Sequence, residues 1–334
     1  MLRVCCRVLP VLLLGLGLAS ATAQEAIPRP AAAPAAAPPP PPANAVAATV
    51  NGQAIPELAL FRATRVVPEA KRAEARAEIL NYLIDNVLLD QHLRQQKVEV
   101  DAKAVDAEIA KMREQLKGAN QDYDKVLKDM FLTEAELREH ITAELRWDKY
   151  VSAQAGDAVL RDLFSKNPEM FDGSMVHARH ILVTGPADAA KAQLGQLRTQ
   201  LETAVTQALA KLPPNADNLA RQKERARVLD ESFAAVAKQH SACPSKEQGG
   251  DIGWFPRTGS MVEPFAKAAF ALKPYELSDV VPTTFGHHLI LCVERRAGKE
   301  VKFEDVREMV KDLYAARMRE ALVAQLRPAA KITK

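Results

Sequence analysis

Two histidine-bearing segments and a cysteine between them are the residues of this chain best suited to chemistry. Val176-His177-Ala178-Arg179-His180-Ile181-Leu182-Val183 alternates as a β-strand does, and Gly185-Pro186 closes it. His287-His288-Leu289-Ile290-Leu291 reads as a second strand, and Cys243 lies between the two, ahead of Pro244-Ser245. His180, His288 and Cys243 are the residue types of a thiol nucleophile with its imidazole base, or of a metal-ligand set. No C-x-x-C pair and no clear oxyanion partner accompanies them, which weighs against both. Each also has a plain reading, since a strand histidine is usually a satisfied core group and a buried cysteine a small hydrophobe. Cys243 stands in the densest cluster of unusual residues: Ser241-Ala242-Cys243-Pro244-Ser245, Gly249-Gly250-Asp251-Ile252-Gly253-Trp254-Phe255, then Met261-Val262-Glu263-Pro264-Phe265. The spacing of Met261 and Phe265 predicts neighbours on one helical face, which read alone are core residues.

Charge and composition narrow the function classes. The 334 residues carry 45 Lys+Arg against 42 Asp+Glu, a net charge of +3. A chain this close to neutrality has no global field for gripping nucleic acid or an anionic membrane. The basic start with Arg3 and Arg7, the apolar run Val8 to Leu18 and Ala21-Thr22-Ala23 predict a signal peptide over 1–23, cut before Gln24. The apolar run is shorter than the ~20 residues that a membrane-spanning helix needs, and no later segment qualifies. Removal of that leader leaves only Cys243 and Cys292 of four cysteines, too few for a disulfide framework. Residues 24–44 collapse to Ala and Pro, ending in Pro38 to Pro42, and predict an extended spacer with no packed core.

The elements that must position these groups begin at Ala45. Val46 to Val50 before Asn51-Gly52 predicts a strand and tight turn. Ile79, Leu80, Leu83, Ile84, Val87 and Leu88 recur at helical spacing. Asp101 caps a helix carrying Val105, Ile109, Met112 and Leu116, and Thr133-Glu134-Ala135-Glu136 is a capping box opening another. Residues 45–171 therefore read as a mainly helical domain without catalytic carboxylate pairs, metal spacing or a phosphate loop. A helical block follows from Asp188, then a highly charged run from Asn218 to Asp230, then a short helix at Phe233 to Ala237. Val280-Val281 and the His287 segment read as closing strands.

The ordered series His177-x-x-His180-Ile-Leu, Cys243-Pro-Ser, Gly249-Gly-Asp-Ile-Gly-Trp-Phe, Met261-Val-Glu-Pro-Phe, Phe270-Ala-Leu and Gly286-His-His-Leu-Ile resembles a parvulin-type peptidyl-prolyl isomerase domain. The segment from Val50-Asn51-Gly52-Gln53-Ala54-Ile55-Pro56 onward resembles the chaperone domain of exported foldases of the SurA and PrsA kind. The resemblance implies an α+β protein: a parvulin domain over 172–298, an antiparallel sheet flanked by helices with a helical insert at about 186–230, joined to the helical domain. A C-terminal helix within 299–334 is expected to pack on that helical domain. It further implies a prolyl cis-trans isomerase of the EC 5.2.1.8 class acting on unfolded exported chains in the periplasm, with no cofactor and no metal. By the resemblance His180, Cys243, His288 and Thr283 form the polar catalytic network, and Ile252, Met261 and Phe265 line the proline slot. Phe285 stands where a small polar residue is common and is expected to narrow the pocket or add apolar contact. Thr184-Gly185-Pro186 lacks the basic cluster of phospho-specific relatives, so phosphoserine is not expected to be required. The alternative is an inactive parvulin fold that only binds unfolded clients.

Overall fold

A computed structural model describes residues 39–42, 44–65 and 67–334. The expected leader and most of the Ala/Pro-rich segment lie outside them. The chain divides into two compact units, one running through Asp157 and including Lys311–Lys334, the other Ala158–Val310.

In the first unit, β1 (Val46–Val50) and β2 (Gln53–Pro56) form an antiparallel hairpin. Asn51 at φ 51° and Gly52 at φ 86° make the turn, the left-handed pair that matches the twist of flanking strands. The two-residue β8 (Ile332–Thr333) pairs with the other edge of β1, so the C-terminus completes a three-stranded sheet. After α1 (Glu57–Arg65), the long α2 (Glu69–Gln95) packs Leu80, Ile84 and Leu88 against Val50, Ile55 and Leu60. A second cluster joins α3 (Ala102–Gly118), α4 (Tyr123–Asp129) and α5 (Glu134–Gln154) through Val105, Ile109, Met112, Leu116, Leu127, Leu137 and Ile141. The Asp101 carboxylate accepts the Lys103 N–H at 2.9 Å. Thr133 and Glu136 exchange both bonds of a capping box. These caps satisfy amide groups that each helix start leaves open.

The second unit opens with α6 (Asp157–Lys166) and is built on an antiparallel sheet in the order β4-β3-β7-β5, with β6 also on β7. Its strands are β3 (Met175–Val183), β4 (Asp251–Pro256), β5 (Glu276–Leu277), β6 (Val281–Thr283) and β7 (Gly286–Arg296). Period-two alternation sorts β3 and β7 into two faces. Ile181, Val183, Leu289 and Leu291 meet α7 (Ala187–Ala210) and α8 (Asn218–His240). Val176, Ala178, Ile290 and Cys292 meet α9 (Glu263–Ala271) through Phe265 and Phe270.

Three expectations are revised. Phe233 to Ala237 is not a separate short helix but the last part of α8, which Asp217 caps by accepting the Ala220 N–H at 2.7 Å. No Gly or Pro interrupts α8, so one helix carries both the charged run and the buried Leu229, Phe233 and Val236. Met261 lies before α9, not on it. The division between units falls between Asp157 and Ala158, earlier than residue 171 by nearly all of α6 and the turn after it. Phe164 of α6 packs on Phe171 and Phe303 of the second unit, with ring centroids 5.6 and 5.9 Å apart. The last helix, α10 (Phe303–Leu326), begins in the second unit and continues in the first, where Arg319 donates to Asn86 and Arg327 to Asn81. No helix among the described residues is long and apolar enough to cross a membrane.

Candidate active site

Strand register brings the two chemically interesting histidines together. His180 shares a face of β3 with Val176 and Ala178, and His288 shares a face of β7 with Ile290 and Cys292. His180 pairs with Ile290 and Leu182 with His288, which makes the histidines diagonal neighbours on the α9 face of the sheet. Their rings stack, 16° from parallel with centroids 5.3 Å apart, and their Nδ1 atoms lie 3.1 Å from each other. The buried Phe265 meets both edge-on, at 5.5 Å from His180 and 5.2 Å from His288.

Thr283 closes the outer end of the pair. Its Oγ1 lies 2.8 Å from His288 Nε2 and 3.3 Å from Gly286 O, and it accepts the Phe285 N–H at 3.1 Å. Its single hydroxyl proton couples the two imidazole tautomers. Donated to His288 Nε2, it leaves His288 Nδ1–H to donate to His180; donated to Gly286 O, it makes His180 Nδ1–H the donor to His288. His180 Nε2 is buried with no hydrogen-bond partner. Burial holds the His180 imidazole down to about 4. His288 is also held at about 4, by burial first and then by the neighbouring His180 and His287. Both rings are therefore neutral at neutral pH, and the floor of the site is polar but uncharged.

Backbone geometry fixes that floor from below. The His180 N–H donates to Gly250 O at 2.8 Å. Gly250 sits at φ +78°, and a Cβ there would fall 2.4 Å from His180 O, so only glycine fits. Ser241, buried and outside the set expected from sequence, accepts the Leu182 N–H at 3.1 Å and the Cys243 N–H at 3.2 Å. Its position two residues before Cys243, in the same unusual cluster, was the available signal. Beside the site, burial alone would push the Asp251 carboxyl up, but the Gly253 N–H, His177 and Arg179 outweigh it and hold it below its ordinary value.

Cys243 is placed differently from the expected network. It is half-buried, its main chain opens a 3-10 turn, and its thiol makes no hydrogen bond to either imidazole. The histidines meet directly, so no thiol is needed between them. Ile252 and Met261 are half-buried and pack on the cluster that contains Phe265, which assembles the three expected slot residues. Phe285 occupies the tip of the β6–β7 hairpin with its side chain 65% exposed, outside the apolar clusters. Among the described residues no group of three or more His, Cys, Asp or Glu is placed to hold a metal ion.

Comparison with known proteins finds two matches along the chain. Residues 180–294 match the family described as Rotamase, PPIC-type PPIASE domain, and residues 41–151 match the SurA-like N-terminal domain. The chain thus carries a PPIC-type domain on an antiparallel α+β scaffold, beside a mainly helical SurA-like domain. It is 43% identical over 81 residues to foldase protein PrsA of Bacillus subtilis, covering 24% of this chain and 26% of that one. It is 33% identical over 175 residues to chaperone SurA of a Polaromonas species, covering 51% of this chain and 32% of that one. The chain therefore spans a quarter to a third of the length of these relatives. The crystal structure of PrsA from Bacillus anthracis aligns with a TM-score of 0.42 and 23% identity, over 77% of this chain and all of that one.

Proposed function

We propose that the protein is a peptidyl-prolyl cis-trans isomerase and chaperone for exported polypeptides. The observation that carries this reading is the neutral, stacked His180–His288 pair, faced edge-on by Phe265 with Ile252 and Met261 on the same cluster. Rotation about a prolyl amide needs no nucleophile; the barrier, roughly 20 kcal/mol, comes from partial double-bond character of C–N. An apolar slot binds the proline ring and strips water from the amide, which disfavours the charge-separated resonance form that resists twisting. Neutral imidazoles offer donor and acceptor atoms to the twisting peptide without burying a charge. Cys243 acts in this scheme as a wall of the site, and Thr283 sets the tautomers. Phe285 offers an exposed aromatic face at the same hairpin to the residues flanking proline.

The parvulin unit performs isomerisation and the helical unit holds unfolded clients. The leader over 1–23 directs export, and the mature chain works in the periplasm or otherwise outside the cytoplasm. A protease-coupled assay on a short Xaa-Pro peptide, run with and without chelator, tests the enzymatic part: turnover that survives chelation is expected, and its absence overturns the reading. Full-length His288→Ala should still delay aggregation of an unfolded reporter while losing turnover. If aggregation suppression disappears with turnover, the division of labour is wrong. Mass spectrometry of the exported protein should find a new N-terminus near Gln24.

A further inference from the structure

Two of the three slot residues are held by regular structure: Phe265 by α9 and Ile252 by β4. Met261 is not. It lies in the bend between Pro256, the last residue of β4, and Glu263, the first of α9. Residues 258–261 make no backbone–backbone hydrogen bond among the described residues. A methionine side chain has three rotatable bonds and no strong rotamer of its own. On an untied bend it would present a poorly defined wall.

A charged fork ties the bend shut. Arg257 Nη1 donates to Glu263 Oε2 and Nη2 to Glu263 Oε1, each at 2.7 Å. The two residues are six apart, so the fork spans the loop that carries Met261. The Arg257 side chain is only 3% exposed, although it is one of the most costly groups to bury. Its Nε makes no hydrogen bond and has the Glu169 carboxylate 3.8 Å away. Glu263, by contrast, is 58% exposed and stands in the first turn of α9, where a carboxylate suits the helix N-terminus. Arg257 follows β4 directly and Glu263 opens α9, so the fork joins the two ends of the bend.

We infer that Arg257 and Glu263 are positioning residues for the proline slot, their bidentate pair fixing the 258–262 bend so that Met261 stands against Phe265. This rests on the isomerase reading of the site. Neither residue touches the reacting peptide; they act on substrate binding through Met261. Lysine cannot reproduce a two-pronged fork, so charge alone is not sufficient.

The test uses the full chain and the protease-coupled peptide assay. Arg257→Met should raise KM roughly tenfold while kcat changes by less than about threefold, the pattern of lost uniform binding. Arg257→Lys should recover only part of the loss. Met261→Ala and Arg257→Met should not multiply in the double variant, because both remove the same wall. Methyl-labelled NMR gives an independent readout: Met261 should shift and broaden in Arg257→Met while Met112 of the helical unit stays put. If Arg257→Met fails to fold, Glu263→Gln, at the exposed end of the pair, is read for the same KM change and Met261 shift. Wild-type turnover with an unchanged KM in the folded variants, or fully multiplicative losses, overturns the positioning role alone. Absence of wild-type turnover overturns the isomerase reading and this inference with it.

Discussion

The helical unit and the sheet unit put their buried polar side chains to different uses. In the helical unit Arg146 is the one buried charged side chain among the described residues, and it is consumed by structure. Its Nε donates to Val98 O at 3.0 Å and its Nη1 pairs with Asp90, tying α5 to α2. The sheet unit buries Ser174, His180, Ser241, Arg257, Ser278 and His288. Some of these clamp backbone, as Ser278 does by accepting the Ile290 N–H at 2.9 Å. The histidines, however, are paired mainly with each other, and His180 Nε2 has no partner. A protein tolerates that cost where a polar group is kept for something other than stability. Unpartnered buried polar atoms occur in both units, at Asp85, Gln121 and Tyr123 in the helical one. What sets the sheet unit apart is that one of them, His180 Nε2, belongs to a stacked histidine pair faced by Phe265.

The sharpest way to break this comparison is to remove the aromatic group under the histidines. Phe265→Ala should destabilise by about 3–5 kcal/mol and abolish turnover, read by thermal denaturation and peptide isomerisation on the folded fraction. Leu137→Ala, at a fully buried position of the helical unit, should cost a comparable ~2–5 kcal/mol yet leave turnover per folded molecule unchanged. Equal losses of turnover in both variants would erase the distinction.

Acid provides the next largest effect. Both imidazoles are held at about 4, below the ordinary 6.5, so the unfolded chain binds protons that the folded chain refuses. Their contribution to stability is full above about pH 6.5, falls as the pH drops below that value, and is lost through about pH 4. Turnover should stay level until the rings protonate near pH 4. Chemical denaturation between pH 7 and 4 should show a smaller slope in His180→Ala and His288→Ala, and an identical slope would refute the assignment.

Smaller effects sharpen the picture. Cys243→Ser should alter turnover by less than about threefold, since the thiol makes no hydrogen bond to the pair and the mechanism forms no covalent bond to it. Cys243→Asp should keep appreciable activity; a folded but dead Asp variant beside an active Ser variant would show that this position cannot bear a charge. Least of all, Thr133→Ala removes a capping box and should cost about 1 kcal/mol in urea unfolding, with KM and kcat untouched.

Much of the scaffold is legible one residue at a time because its determinants are local. Asn51-Gly52 specifies its hairpin through φ, and Asp101 and Thr133 announce helix starts through caps that need only neighbouring amides. Met261 shows where such reading fails. Its spacing from Phe265 matches a helix, yet Pro264 within the first turn is a start signal, and α9 begins at Glu263. A proline in the first turn, where its missing N–H leaves no bond unmade, outweighs the spacing. Likewise Arg257 and Glu263 read as ordinary surface charges until the fold buries one of them.

The sequence by itself determined the strands that carry His180 and His288 and, through their alternation, the face of each strand that the histidine shares. Only the tertiary structure decided that the histidines meet each other instead of a thiol. Alternation assigns a side chain to a face but says nothing about which residue lies across the sheet. That follows from the pairing of Leu182 with His288, which places the two rings in diagonal contact, and from the turn at Ser241–Cys243, which leaves the sulfur out of the hydrogen-bonded chain. The pair's resistance to protonation below its ordinary range is likewise a property of the assembled core, because burial by distant parts of the chain disfavours the charged imidazolium.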